Sequence, residues 1–248
     1  MDIIRVRGLE VGYEGISVLR NLDFDIPRGR ITVIVGESGS GKSTLLKTII
    51  GLLPPLAGRV FLGDRPIDYR SETDLGRFYA RIGVLFQNSA LLGSLTLYEN
   101  IALPIRIHRT DTAGADEAAR VKTVLGSVGL GGAEDKYPFE LSGGMRKRAA
   151  IARAMVLEPE IVFCDEPSSG LDPLTASGLD KLLVELRDGH GVTFVVVTHE
   201  LRSIERIADR VLLLRDGEIR FNGDFRDLAA ARDPYVQAFF LRTESHDH

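Results

Sequence analysis

The chain of 248 residues contains a single cysteine, Cys164, and no tryptophan. One cysteine can form neither an intramolecular disulfide nor a metal site of several thiolates, which fits a reducing compartment such as the cytosol. No run approaches the roughly 18 apolar residues that span a bilayer. The first ten residues, MDIIRVRGLE, also lack the pattern of an export signal. We therefore expect the chain alone to be neither exported nor inserted into a membrane.

A strong excess of one charge is also absent. The sequence has 31 basic and 35 acidic residues, hence a net charge of −4. Because no bulk positive field would attract polyanions, nucleic acid is not an expected partner. With 44% hydrophobic and 27% charged residues, the composition lies near globular averages, which excludes wholesale disorder.

The order of strand and helix patterns indicates an α/β fold. The apolar run ITVIV at 31–35 predicts a strand buried on both faces, after strand patterns from residue 2 onwards. Later strand and helix patterns alternate, which is typical of a parallel sheet covered by helices. We predict a mostly parallel core sheet with an antiparallel β edge. Helices are expected at 42–52, 174–188 and 201–208, and further strands at 59–62, 82–86, 161–164, 193–198 and 211–215.

Residues 97–157 carry helical patterns without a convincing strand. We therefore predict one domain with a core of residues 1–86 and 158–223 and a helical subdomain at 87–157. Residues 224–248 are expected to form a C-terminal helical extension that ends in the polar tail ESHDH.

The segment GESGSGKS, from Gly36 to Ser43, follows a buried strand and precedes a helix. In this context the spacing predicts a P-loop, in which successive backbone N–H groups face a polyphosphate at a helix N-terminus. Lys42 would add a positive charge at the β and γ phosphates, and Ser43 would offer a hydroxyl to Mg²⁺. The predicted nucleotide-binding set in this loop is Gly36, Glu37, Ser38, Gly39, Ser40, Gly41, Lys42, Ser43 and Thr44.

The segment IVFCDE places two acids directly after an apolar strand. Asp165 would hold Mg²⁺ through water, and Glu166 would polarise the attacking water. The alternative is that these acids cap a helix or face solvent in a loop. Cys164 is interpreted as a small buried hydrophobic residue.

The segment LSGGMRKR, from Leu141 to Arg148, opens a helix with Ser142, Gly143 and Gly144. Such a helix start is a second anion cradle, although an ordinary N-cap explains it as well. Two cradles about a hundred residues apart would serve one nucleotide only if the fold or a dimer brought them together.

With LSGGM standing between the P-loop and IVFCDE, the chain resembles the nucleotide-binding subunits of ABC transporters over nearly its whole length. The resemblance implies a P-loop ATPase that uses ATP and Mg²⁺. It also implies a head-to-tail homodimer in which Ser142, Gly143 and Gly144 contact the nucleotide of the other copy. The positions implied for further roles are Tyr13 for adenine stacking, Gln87 for catalysis and Mg²⁺ binding, Asp172 for the D-loop and His199 for catalysis beside Glu166. Taken singly, Tyr13, Gln87 and His199 could also be an ordinary turn aromatic, a solvated loop residue and a satisfied polar histidine.

Within that family, FQNSALLGSLTLYENIALP at 86–104 and ELSGGMRKRAAIARAMVL at 140–157 are most similar to the ATPases of Mla/Mce-type phospholipid transporters. This implies phospholipid transport between membranes from the cytoplasmic face of the inner membrane. The implied partners are integral membrane permease subunits, periplasmic-side lipid-binding subunits of the Mce type and small accessory subunits. Segment 87–107 would receive the permease through the apolar residues Leu91, Leu92 and Leu95, unless these pack into the core.

Two other functions compete with this interpretation. One is the ATPase of another ABC importer or of a lipoprotein exporter. The other is a soluble ABC-type ATPase that acts on DNA or ribosomes. The single P-loop, the acidic balance and the lack of a long heptad insertion disfavour the second.

Overall fold

Two β-sheets organise the chain in the computed structural model, which describes residues 1–108, 114–231 and 233–241. The strands, in chain order, are β1 (Asp2–Tyr13), β2 (Ile16–Pro27), β3 (Ile31–Gly36), β4 (Ala57–Leu62), β5 (Arg65–Pro66), β6 (Ile82–Leu85), β7 (Ile161–Asp165), β8 (Thr193–Val197), β9 (Arg210–Arg215) and β10 (Glu218–Asp224).

The larger sheet has the order β10-β9-β3-β8-β7-β6. Its strands pair in parallel from β9 to β6, and β10 pairs antiparallel to β9. Every residue of β3 and of β8 is buried, as expected for parallel strands covered on both faces. The smaller sheet, β2-β1-β4-β5, is antiparallel. The predicted α/β fold with a parallel core and an antiparallel edge is thus confirmed.

Helices cover these sheets. They are α1 (Lys42–Ile49), α2 (Glu72–Tyr79), α3 (Leu97–His108), α4 (Gly114–Ser127), α5 (Gly143–Met155), α6 (Pro173–His190), α7 (Leu201–Ile207) and α8 (Pro234–Leu241), with short 3₁₀ turns at Pro138–Glu140 and Phe225–Ala230. None of the described helices combines the length and hydropathy needed to cross a bilayer.

Helix α1 ends three residues before the predicted boundary at 52. The terminating residue is Gly51, whose φ of 84° is left-handed and therefore suits glycine. The prolines Pro54 and Pro55 lie beyond the end of the helix.

The helices of segment 87–157 share their packing with the core. No strand occurs in the part of this segment that the structure describes, as predicted. Helices α3, α4 and α5 contact one another, and α5 also packs on β6. One hydrophobic cluster joins Ile101 of α3 and Ile151 of α5 to Val162 and Phe194 of the core sheet. The helices and the core sheet thus share one hydrophobic cluster. The division into a core and a helical subdomain stays a prediction. The predicted tail ESHDH lies outside the described residues.

The three leucines expected on the surface of segment 87–107 differ in exposure. Leu91 packs against the main hydrophobic cluster and Leu95 is half-buried, so the expectation is wrong for these two. Leu92 is 45% exposed, as expected. The buried amide of Asn100 donates to the carbonyl oxygens of Leu92, Leu95 and Thr96 at 2.9–3.1 Å. This loop is therefore pinned in place, with Leu92 alone directed outwards.

Candidate nucleotide-binding site

An open cleft of about 560 Å³ lies at the carboxyl ends of the parallel strands, where ligands bind in open α/β sheets. Besides the P-loop and Val18 of β2, three parts of the chain line it: Gln87 after β6, Asp165 and Glu166 at the end of β7, and His199 after β8. The P-loop residues that line it are Ser38, Gly39, Gly41, Lys42, Ser43 and Thr44. The fold thus brings together residues that lie up to 181 positions apart in the sequence, from Val18 to His199.

The P-loop reaches the cleft through close backbone packing. A Cβ on Gly36 would lie 2.5 Å from the carbonyl oxygen of Leu214, and a Cβ on Gly41 would lie 2.9 Å from the side chain of Leu19. Only glycine fits both places. Helix α1 then begins at Lys42 without a side-chain cap, so its first N–H groups are free to donate to an anion.

The ammonium group of Lys42 rests against its own loop. Its Nζ donates to the carbonyl oxygens of Gly36 at 2.8 Å and Glu37 at 2.9 Å. Partial burial lowers the pKa of Lys42, while the carboxylates of Glu166 and Asp165 oppose this lowering. The positive charge therefore lies at the P-loop. The phosphate oxygens of a bound nucleotide would replace the two loop carbonyls as its hydrogen-bond partners.

The two acids at the end of β7 have different surroundings. Burial is the main cause that raises the pKa of Asp165, and the negative charge of Glu166 raises this pKa further. Glu166 has a left-handed backbone with φ 47°, and its N–H donates to Val197 at 2.8 Å. Its carboxylate lies 2.8 Å from Nδ1 of His199. Glu166 is therefore oriented through its main chain by Val197 at the end of β8 and through its side chain by His199, just after that strand.

Three oxygen-bearing side chains predicted to bind Mg²⁺, those of Ser43, Gln87 and Asp165, all line this cleft. Hydroxyl, amide and carboxylate oxygens suit Mg²⁺, which usually keeps several waters and takes few protein ligands. Among the described residues there is no cluster of three or more His, Cys, Asp or Glu side chains that could hold a metal. The residues present therefore fit a metal held jointly with phosphate rather than a closed protein site.

Several predicted residues lie outside the cleft. Glu37 and Ser40 line a smaller neighbouring cavity of about 170 Å³. Tyr13 is 45% exposed at the end of β1, and Val18 of the next strand lines the cleft instead. No sequence motif distinguishes Val18, so the sequence offered no sign of its place.

The LSGG segment and the D-loop aspartate also lie apart from the cleft of their own chain. Ser142 caps α5 by accepting from the N–H of Met145 at 3.3 Å. Asp172 caps α6 by accepting from the N–H groups of Leu174 and Thr175. Gly143 and Gly144 approach this second helix start, since a Cβ on Gly144 would lie 2.5 Å from Thr175. Both caps thus lie next to each other.

Cys164 is fully buried beside the site, as predicted. Burial raises the pKa of its thiol to about 12. The thiol is therefore protonated and takes no part in the chemistry of the cleft.

Comparisons with known proteins agree with this geometry. The model of the ABC transporter family matches residues 19–169. A probable ribonucleotide transport ATP-binding protein of Mycobacterium leprae is 39% identical over 95% of this chain and 68% of its own length. A methionine import ATP-binding protein of Bradyrhizobium diazoefficiens is 39% identical over 92% of this chain and 66% of its own. The chain thus spans about two thirds of the length of these relatives.

Solved structures with the same fold include cbiO1 from Clostridium perfringens, part of the ABC transporter complex cbiONQ. It has a TM-score of 0.85 and 30% identity, covering 99% of this chain and 98% of its own. The dimeric bacterial ABC transporter cassette MJ0796 has a TM-score of 0.80 and 32% identity over 90% of this chain and 99% of its own. MJ0796 is also known in a post-hydrolysis state bound to ADP and Pi. This chain therefore belongs to the ABC transporter family, as an ATP-binding subunit that hydrolyses ATP.

Proposed function

We propose that two copies of this chain close around ATP and power an ABC importer through integral membrane permease subunits. The proposal rests on the observation that the predicted site residues lie in two separate places on the chain. The P-loop, Asp165, Glu166 and His199 share one cleft, whereas Ser142 to Gly144 lie at a helix start outside it. A second copy, packed head to tail, would supply the missing half.

In each cleft the chain's own groups would have separate tasks. The P-loop N–H groups and Lys42 would bind the phosphates, and Glu166, held by His199, would orient and polarise the attacking water. Ser43, Gln87 and Asp165 would hold Mg²⁺, which supplies charge neutralisation at the phosphates. From the other copy, Ser142, Gly143 and Gly144 would donate to the γ-phosphate, with Asp172 at the adjoining helix start.

Adenine recognition by Tyr13 gives a separate test. Tyr13 pairs with Ile16 at the tip of the β1–β2 hairpin, which also carries the cleft residue Val18. Stacking on a base is worth about 1–3 kcal/mol, so Tyr13→Ala should raise the Kd for ATP by roughly one to two decades. Titration with a fluorescent ATP analogue measures this. Tyr13→Phe keeps the ring and is the matched control, which should bind as the parent does. Equal binding by the alanine variant would make Tyr13 an ordinary turn residue.

Permease docking is proposed at segment 87–107, through the exposed apolar side chain of Leu92. Because Asn100 pins the main chain around Leu92, a charge placed there should disrupt docking without unfolding the loop. Buried unpaired carboxylates are costly. Leu92→Asp should therefore release the chain from membranes while its Kd for ATP stays unchanged, as measured by membrane flotation and nucleotide titration.

A matched control for this docking test is Leu52→Asp, because Leu52 is 54% exposed and lies after α1, outside the segment. That variant should stay on the membrane. Retention of a folded Leu92→Asp variant would place the permease contact elsewhere.

The relatives' names support an importer of a small solute, since they specify ribonucleotide transport and methionine import. Phospholipid transport is the second candidate, favoured by Met145 after the SGG triplet and by SALLGSL after Gln87. In that case Mce-type and small accessory subunits would join the complex at the cytoplasmic face of the inner membrane. Identification of the membrane subunits that co-elute from detergent extracts separates the two candidates.

A further inference from the structure

Helix α5 carries a buried lysine that links two parts of the ATP cleft. Lys147 is only 6% exposed. Its Nζ donates to the carbonyl oxygen of Gln87 and, at 3.3 Å, to the carbonyl oxygen of Glu166. Both of these residues line the cleft. One ammonium group therefore joins the loop after β6 to the end of β7.

Burying this ammonium has an energetic cost, because a charge loses its hydration in the interior. In agreement with this cost, burial lowers the pKa of Lys147. Ile151, one turn further along the same face of α5, is fully buried, so an apolar side chain would suit the packing at this position. What an apolar residue would lack is a donor for the two carbonyl oxygens.

The main chain on both sides of this bridge is in unusual conformations. Glu166 has φ 47°, and Ser89 and Ala90, just after Gln87, have φ 61° and 49°. Such left-handed conformations are disfavoured for residues other than glycine and persist only where the surroundings hold them. A second cation of α5 acts on this stretch, since the guanidinium of Arg153 donates to Ala90 at 2.6 Å and to Ser89 at 3.0 Å. Helix α5 thus holds residues 87–90 from two points.

We propose that Lys147 is a positioning residue for ATP hydrolysis, which fixes Gln87 and Glu166 relative to each other so that their side chains meet the same nucleotide. It acts through their main chains and does not touch the substrate. Lys147 lies five residues after Ser142 on the same helix, a rise of about 7.5 Å. A displacement of the Ser142 end of α5 is therefore transmitted to the catalytic groups of the same chain.

The variant Lys147→Met tests this proposal, since methionine keeps an unbranched side chain but cannot donate. We expect kcat for ATP hydrolysis by the full chain to fall by roughly 10- to 100-fold, because small misplacements of catalytic groups cost this much. The Kd for ATP, measured with a fluorescent analogue, should stay at the parental value, since the P-loop is untouched. Lys147→Arg keeps the charged donor and should restore most of kcat. Lys181→Met is the matched control, because the side chain of Lys181 is 78% exposed on α6.

Thermal unfolding of each variant reports on the fold. A folded Lys147→Met variant with the parental kcat would overturn the proposal. So would a Lys147→Arg variant whose kcat does not exceed that of Lys147→Met. A matching loss of ATP binding would also overturn it, because it would point to a general structural role. If Lys147→Met does not fold, Lys147→Leu replaces it as a second variant that cannot donate, and it should show the same fall in kcat with parental binding. Failure of both to fold would make Lys147 structural and reject the positioning role.

Discussion

Glu166→Gln is expected to lower the rate of ATP hydrolysis by about 10²- to 10⁴-fold, the usual contribution of a general base. The amide has the size of the carboxylate but cannot accept the proton of the attacking water. Its oxygen still reaches His199, and the main-chain bonds of residue 166 to Val197 and Lys147 do not involve the side chain. The variant should therefore fold and bind ATP as the parent does.

Because ATP persists in this variant, it should also trap the closed dimer. Light scattering in the presence of ATP and Mg²⁺ should show twice the mass of the chain, and removal of nucleotide should restore the monomer. Glu185→Gln is the matched control, since Glu185 is exposed on α6, and it should turn over at the parental rate. A Glu166→Gln variant that hydrolyses ATP normally would remove Glu166 from catalysis, and one that stays monomeric with ATP would contradict the head-to-tail dimer.

Lys42→Ala should act at binding instead of at hydrolysis. The Lys42 ammonium now contacts two loop carbonyls within the P-loop, and phosphate oxygens would give it charge-assisted bonds. A hydrogen bond to a charged group is worth about 1.5–3 kcal/mol, so the Kd for ATP should rise by roughly 10- to 100-fold. Calorimetric titration with ATP and Mg²⁺ measures this change.

Lys181→Ala serves as the control for Lys42→Ala, because it removes an exposed lysine of α6 that lies outside the cleft. Its Kd should be parental. If Lys42→Ala binds ATP with the parental Kd, the phosphates do not sit at this loop as proposed.

The P-loop could be predicted from the sequence because its requirements are local. Glycine spacing, the preceding buried strand and the following helix all lie within about 20 residues. The same holds for Asp165 and Glu166 after an apolar strand. The parallel sheet could be predicted from continuous apolar runs, because a strand that is covered on both faces has apolar residues at successive positions.

Other features depend on distant contacts and were therefore missed. Helix α2 buries only Phe78 and the edge strand β10 has no fully buried residue, so neither contains an apolar run that stands out in the sequence. Leu91 differs from Leu92 only in what packs against it. Lys147 stood in the sequence as part of a basic run, and nothing local indicated that its ammonium reaches Gln87, 60 residues away.

The position of Ser142 to Gly144 outside their own cleft has a kinetic consequence. Each complete site would draw on two chains, so hydrolysis by dilute chains would be second order in protein. A permease that holds two copies side by side would replace bulk concentration with an effective concentration on the order of millimolar. Assembly alone would then switch the subunit from slow to fast turnover, and unassembled copies would consume little ATP.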